Sequence, residues 1–143
     1  MDPKTALAPA AAPPPFGTYS PGIVAPAGGR LILTSGQLAV LPEGEVPGGA
    51  RAQAALCLRA IGAILAEAGA GPEHVLRLNA YVTDRAHFAP YMAERDAWLS
   101  DTAVRPASTL VIVSGFTRPE FLVEVEATAW LPARRYSRKA RAK

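Results

Sequence analysis

Residues that bind metals are scarce in this chain. It holds one cysteine, Cys57, and two histidines, His74 and His87, among 143 residues. A single cysteine excludes an intrachain disulfide, and no Cys/His spacing matches a zinc site, so no metal is expected. The same sparing use of cysteine fits a reducing compartment, which makes the cytoplasm the expected location. Phosphate-binding signatures are missing as well. There is no Gly-x-Gly-x-x-Gly and no Walker-type lysine, and no nucleotide cofactor is expected. Gly-x-Ser-x-Gly is absent, so Ser35-Gly36 is no nucleophile elbow, although a dispersed Ser-His-Asp triad stays open. No run approaches the roughly 20 apolar residues of a membrane span. The first fifteen residues also lack the unbroken apolar stretch of a signal peptide.

What is present fits one domain. The length is that of a single unit, and 50% hydrophobic residues suffice for a core without covalent staples. The formal charge of +3 is unevenly placed. Arg134, Arg135, Arg138, Lys139, Arg141 and Lys143 supply six positive charges, and residues 1–133 without them carry −3. A basic tail can touch nucleic acid or acidic lipid, or it can be a solvated end. The opposite end, residues 1–15, contains Pro3, Pro9, Pro13, Pro14 and Pro15 among many alanines. Proline lacks the N–H donor and fixes φ, so an extended or disordered leader is expected there. The division is then 1–15 leader, 16–133 domain and 134–143 basic flexible tail.

Hydrophobic periodicity orders the domain. Arg30–Leu38 reads as a strand after the turn pair Gly28-Gly29, with Gly22–Ala25 as its hairpin partner. Ala54, Leu58, Ile61, Leu65 and Ala68 form one apolar stripe of a helix over about 51–68, which Gly69, Gly71 and Pro72 terminate. His74–Val82 alternates as a two-faced strand, with Val75, Arg77, Asn79 and Tyr81 on one side. Asp84 caps a second helix over about 85–100, with Phe88, Met92 and Leu99 as its core stripe, Tyr91 and Trp98 alongside, and Pro90 near its start. Thr109–Phe116 and Phe121–Leu131 read as closing strands, the latter placing Glu124, Glu126 and Thr128 on one face. The expected fold is α/β in the α+β sense: a mixed β-sheet with two helices packed on one face. The other face alternates polar and aliphatic groups and needs cover, for which a partner subunit is suited.

Glu126 is the candidate for chemistry. It stands mid-strand between Val125 and Ala127, where desolvation disfavours the charged carboxylate and tends to raise its pKa. It can then orient a water or pass a proton. The plainer alternative is an exposed or ion-paired strand glutamate, and Glu124 on the same face weakens the distinction. Tyr19 can present its ring and hydroxyl to a ligand or be a buried loop tyrosine. Arg105 can bind a carboxylate as a fork or cap the preceding helix.

Five segments in this order resemble one family. They are Phe16–Gly22 (FGTYSPG), Leu31–Leu38 (LILTSGQL), Leu76–Asp84 (LRLNAYVTD), Arg105–Thr109 (RPAST) and Leu122–Ala129 (LVEVEATA). Together they are similar to the Rid (YjgF/YER057c/UK114) proteins over roughly residues 16–131. The resemblance implies a chorismate-mutase-like fold of the bacillary type, a homotrimer closed like a barrel, and small-molecule sites at the subunit interfaces. It implies hydrolysis of reactive enamines and imines to ketoacids and ammonia without a cofactor. Tyr19, Ser35, Gly36, Asn79 and Glu126 match positions lining that cleft. Tyr81, Ser108 and Thr109 complete the candidate ligand-binding set. The family's carboxylate-gripping arginine follows Pro-Ala, whereas Pro106-Ala107 is followed here by Ser108. A lost charge-assisted bidentate contact typically lowers binding by about a hundredfold.

Three functions follow. One is hydrolysis of an imine, enamine or related C–N bond on a substrate lacking the usual carboxylate. Glu126 would hold the water, Asn79 and Tyr19 would orient the ligand, and Ser108 and Thr109 would donate hydrogen bonds. The second is a non-catalytic trimeric small-molecule-binding or regulatory module that keeps the cleft. The third, ribonuclease action, is disfavoured by the acidic body and the lack of clustered aromatics. It requires RNA binding to depend on residues 134–143.

Overall fold

A computed structural model describes residues 4–133; the basic tail lies outside the described residues. The elements are β1 (Thr5–Leu7), β2 (Gly22–Val24), β3 (Arg30–Leu33), β4 (Gln37–Leu38), α1 (Ala50–Glu67), β5 (Val75–Val82), α2 (Phe88–Trp98), β6 (Ala107–Ile112) and β7 (Val123–Leu131). The main sheet runs β3-β7-β5-β6, with β4 also paired to β7. β5 and β6 are parallel and the other pairings antiparallel, so the sheet is mixed.

Helix α1 covers the sheet with Ala54, Cys57, Leu58, Ile61 and Leu65, all buried. Its end is closed as the glycines suggested. Gly69 takes φ 79°, and the N–H groups of Gly69 and Ala70 bond the carbonyls of Ala66 and Leu65. Facing it, Leu78, Ala80 and Val82 of β5 interdigitate with Val123, Val125, Ala127 and Ala129 of β7. Gln53 is buried and bridges loops. Its amide donates to the carbonyls of Pro47 and Glu120 and accepts from the Leu122 N–H, at 2.8–2.9 Å.

Four expectations are corrected. β2 does not form a hairpin with β3; it pairs antiparallel with β1 in a separate two-stranded sheet. β3 instead takes β7 as its partner, and the Trp130 indole donates to the Gly28 carbonyl at 2.6 Å, fastening the intended turn to β7. The leader is therefore not without structure: Thr5–Leu7 is a strand, and the buried Lys4 ammonium donates to the Val75 carbonyl at 2.5 Å. Val75 faces the core rather than the Arg77 side, because the β5–β7 register shifts between Val75 and Arg77. In the second helix, residues 85–87 form a 3-10 turn capped by the Asp84 carboxylate on the Ala86 N–H at 2.8 Å. Pro90 falls in the first turn of α2, where its missing donor costs nothing. The buried positions of α2 are Tyr91 and Arg95, continued by Leu99, whereas Phe88 is 42% exposed.

Two measurements test this packing. Leu78→Ala removes a fully buried side chain and should cost about 2–5 kcal/mol in denaturant unfolding. Burial pushes Lys4 down from 10.5 to about 8. A lysine with a lowered folded pKa binds fewer protons folded than unfolded, so stability rises with pH between those two values. Wild type should therefore gain thermal stability relative to Lys4→Met as pH rises from 8 toward 10.5.

Candidate functional site

Two clusters of polar groups lie on opposite faces of the sheet. The first is on the face without helices. There Glu126 of β7 sits opposite Asn79 of β5, and Glu124 opposite Tyr81. Asn79 Nδ2 and Tyr81 Oη both donate to Glu126 Oε1, at 3.1 and 2.8 Å. The carboxylate is thus oriented by two neighbours on one strand. Its bond to Tyr81 holds the phenolic proton and pushes that pKa up. Glu124 is pushed up by its own desolvation and, secondarily, by the Glu126 charge. Thr109 pairs with Asn79 and so shares this face, where its hydroxyl accepts from Arg77 Nη2 at 3.0 Å.

Gly36, next to Ser35, approaches the Glu124 carboxylate through a break in the edge strand. Leu33 pairs with Thr128 and Gln37 with Val125, so β3–β4 spends one residue more than β7 over that interval. This is a bulge, a common device for re-aiming chain beside a site. The Thr34 hydroxyl accepts from the Ala127 N–H at 2.9 Å, and the Ser35 carbonyl accepts from Gln37 Nε2 at 3.1 Å. Gly36 lies directly against the Glu124 carboxyl, and any Cβ there would overlap it.

The second cluster is on the helix side of β6, the edge strand. Ser108 pairs with Leu78 and shares its direction, away from Thr109 and Glu126. With Phe16, Tyr19, Phe88, Met92, Arg95 and Leu110 it lines a cavity of about 230 Å³. Arg95 is almost entirely buried, 2% exposed. Its Nε and Nη2 donate to Asp96 Oδ1 at 3.2 and 3.0 Å, Nη2 reaches the Thr18 carbonyl at 3.4 Å, and Nη1 donates to Ser108 Oγ at 3.0 Å. The Tyr19 ring lies 5.9 Å from the guanidinium carbon, within cation–π reach.

The candidates therefore divide. Asn79, Tyr81, Thr109 and Glu126 gather on the open face with Gly36 against Glu124, Ser35 sits in the bulge with its carbonyl held by Gln37, and Tyr19 and Ser108 gather behind the sheet. Arg105 joins neither: its carbonyl accepts from the Ser20 hydroxyl at 2.6 Å and its Nη1 is buried without a partner among the described residues. Arg95 was not among the candidates. Its signal was its spacing: Tyr91, Arg95 and Leu99 are four apart, which puts the arginine in the buried stripe. Among the described residues there is no group of three metal-ligating side chains and no helix long and apolar enough to cross a membrane. Burial raises the Cys57 thiol to about 12, so it carries no thiolate near neutral pH.

A family model described as endoribonuclease L-PSP matches residues 9–131. The chain belongs to this family, the Rid proteins. Among similar Rid proteins, a RutC family protein of Synechocystis is 34% identical over 128 residues, 86% of this chain and 93% of the relative. An Escherichia coli protein named 2-iminobutanoate/2-iminopropanoate deaminase is 33% identical over 120 residues, 82% of this chain and 91% of the relative. A Rid protein structure from Yersinia pestis superposes with a TM-score of 0.79 at 32% identity, covering 92% of this chain and all of that one. E. coli TdcF with bound serine superposes with a TM-score of 0.67 at 26% identity, over 89% and 98% of the two chains. The chorismate-mutase-like fold expected from the sequence is thereby established, and membership places reactive-intermediate deamination within the range of this family.

Glu124 gives a test of the open face. A carboxyl whose folded pKa is raised binds protons more readily folded than unfolded, so its ionisation destabilises the fold. Glu124→Gln should raise the melting temperature near pH 7, and the gain should vanish as pH falls below the ordinary carboxylate range.

Proposed function

We propose that this chain is a cytoplasmic, cofactor-independent hydrolase of reactive imines or enamines, working in clefts between the subunits of a homotrimer. The observation that carries the reading is the Glu126 carboxylate, fixed by Asn79 and Tyr81 on a sheet face left open in the single chain. The surrounding strands support coverage by a second copy. Leu31 and Leu33 of β3 share that face through their pairing with Trp130 and Thr128, and are 62% and 68% exposed. Val111 of β6 shares it with Tyr81 and is 45% exposed. Large apolar side chains exposed around a polar cluster are the usual mark of an interface. Within one chain the sheet separates Glu126 from the Tyr19–Ser108 cavity. A cleft between copies would let one subunit offer its open face to the cavity of the next.

In this reading Glu126 orients a water and accepts its proton as oxygen adds to the C=N carbon, giving a carbinolamine. Glu126 returns that proton to nitrogen, the carbinolamine's hydroxyl proton then passes to the amine as the C–N bond breaks, and a carbonyl compound and ammonia leave. The net change is one water consumed per imine. Lacking an arginine at 108, the chain would stand in a subgroup apart from members that carry one. Ribonuclease action gains nothing from the −3 charge of residues 1–133, since nucleic-acid affinity rests chiefly on cationic contacts to phosphate.

The test generates imines with an amino-acid oxidase, traps them competitively with semicarbazide, and follows ketoacid release. Wild type should accelerate release, and Glu126→Gln should lose about 10²–10⁴-fold, the usual reach of general acid–base catalysis. An inert wild type would instead favour the binding module. Sedimentation should give a trimer, and Leu33→Asp should dissociate it.

A further inference from the structure

We propose that Arg95, reaching from α2 to Ser108 on β6, is the anion-binding group of this chain, and that the cavity it lines takes the carboxylate of an apolar substrate. The inference rests on the proposed imine hydrolysis and names its substrate class: an imine derived from a hydrophobic amino acid.

The guanidinium is held in one orientation. Asp96 occupies the Nε and Nη2 edge, and Nη1 points at the Ser108 hydroxyl. Asp96 is 37% exposed, so one end of the pair is wet while the arginine is not. Nη1 carries a second N–H that has no other partner among the described residues. Ser108 Oγ accepts from Arg95 and lies beside the buried Tyr91 phenol, so its own proton can turn to Tyr91 or to a ligand's oxygen. Nη1 and Oγ, bonded to each other at 3.0 Å, both belong to residues of the cavity wall and could each turn a hydrogen to a ligand. That is the requirement of a carboxylate, which accepts in parallel on its two oxygens. Nearby, the Tyr91 phenol is fully buried and has no bond of good geometry among the described residues. Its neighbours include Ser108, Arg95 and Asp96, so a further polar group waits beside the same spot.

The rest of the wall is apolar. Phe88, Met92 and Leu110 line the cavity beside the donors, as does Phe16, which is exposed in the single chain, and the Tyr19 ring lies over the guanidinium. Desolvation by these groups strengthens a charge-assisted bond and favours a ligand whose remainder is hydrophobic. The serine after Pro106-Ala107 is then no loss of the cation. The guanidinium arrives from a helix and ends against the side chain at that very position.

The experiment measures calorimetric binding of phenylacetate and of its uncharged isostere phenylacetamide to the full-length protein. Wild type should prefer the carboxylate by roughly 10- to 100-fold, the range of hydrogen bonds to charged groups. Arg95→Met should abolish the preference, and Ser108→Ala should weaken it. Arg95→Lys should retain only part, because an ammonium cannot offer a planar fork. The double variant Arg95→Met/Ser108→Arg should regain it by supplying the guanidinium from the strand. Should Arg95→Met fail to fold by circular dichroism, the lysine and Ser108→Ala variants decide. Equal affinity of wild type for the two probes, or an undiminished preference in the lysine and Ser108→Ala variants, overturns the proposal. The two readings fail separately. Carboxylate preference with no Glu126-dependent hydrolysis removes the enzyme and leaves the anchor. Glu126-dependent hydrolysis of carboxylated imines with KM unchanged in Arg95→Lys removes the anchor and leaves the enzyme.

Discussion

Strand β7 is hydrogen-bonded to β3, β4 and β5, and the twofold alternation along it separates packing from chemistry. Val123, Val125, Ala127 and Ala129 go to the helices, and Glu124, Glu126 and Thr128 go to the open face. Small residues at 127 and 129 let α1 lie close. The same pleat that buries them must present the glutamates on the other side. A slip of one residue would exchange the two sets, placing two carboxylates under α1. Core and candidate site are therefore not independent features; one register fixes both.

That coupling explains what was legible in the sequence. Alternation made β7 and most of β5 readable, and the apolar stripe with its glycine stop gave α1 nearly to the residue. Glu126, Asn79 and Tyr81 could be grouped because each sat on a readable face of a readable strand. Harder to see was anything set by a change of register. Val75 looks like a neighbour of Arg77 until the shift in pairing turns it inward. The break at Thr34–Gly36 is invisible in a run as strand-like as LILTSGQL, because a bulge is created by the partner strand's count as much as by its own residues. β1 escaped notice because an Ala/Pro-rich composition outweighs the three residues that pair.

Arg95 marks a different limit. A charged residue at core spacing is ordinarily read as the polar side of a helix, since arginine is rarely fully buried unless paired. Its partners here come from three places: its neighbour Asp96, the Thr18 carbonyl in the entry loop, and Ser108 on β6. Only the first is close in sequence. The stripe of Tyr91, Arg95 and Leu99 carried the hint, and the tertiary partners gave it meaning. Position 108 shows the converse. Viewed alone it lacks a cation, and viewed in space it touches one.

The state of Cys57 has a practical side. It is the chain's sole cysteine, it is fully buried beneath β7, and its thiol is raised to about 12. Alkylating reagents attack thiolates, so the native protein offers them almost nothing near neutral pH. A cysteine introduced at an exposed site such as Leu31 would be labelled alone, without first removing the native one. A fluorophore or spin label on the open face could then report directly on what comes to cover it, in an otherwise unaltered protein.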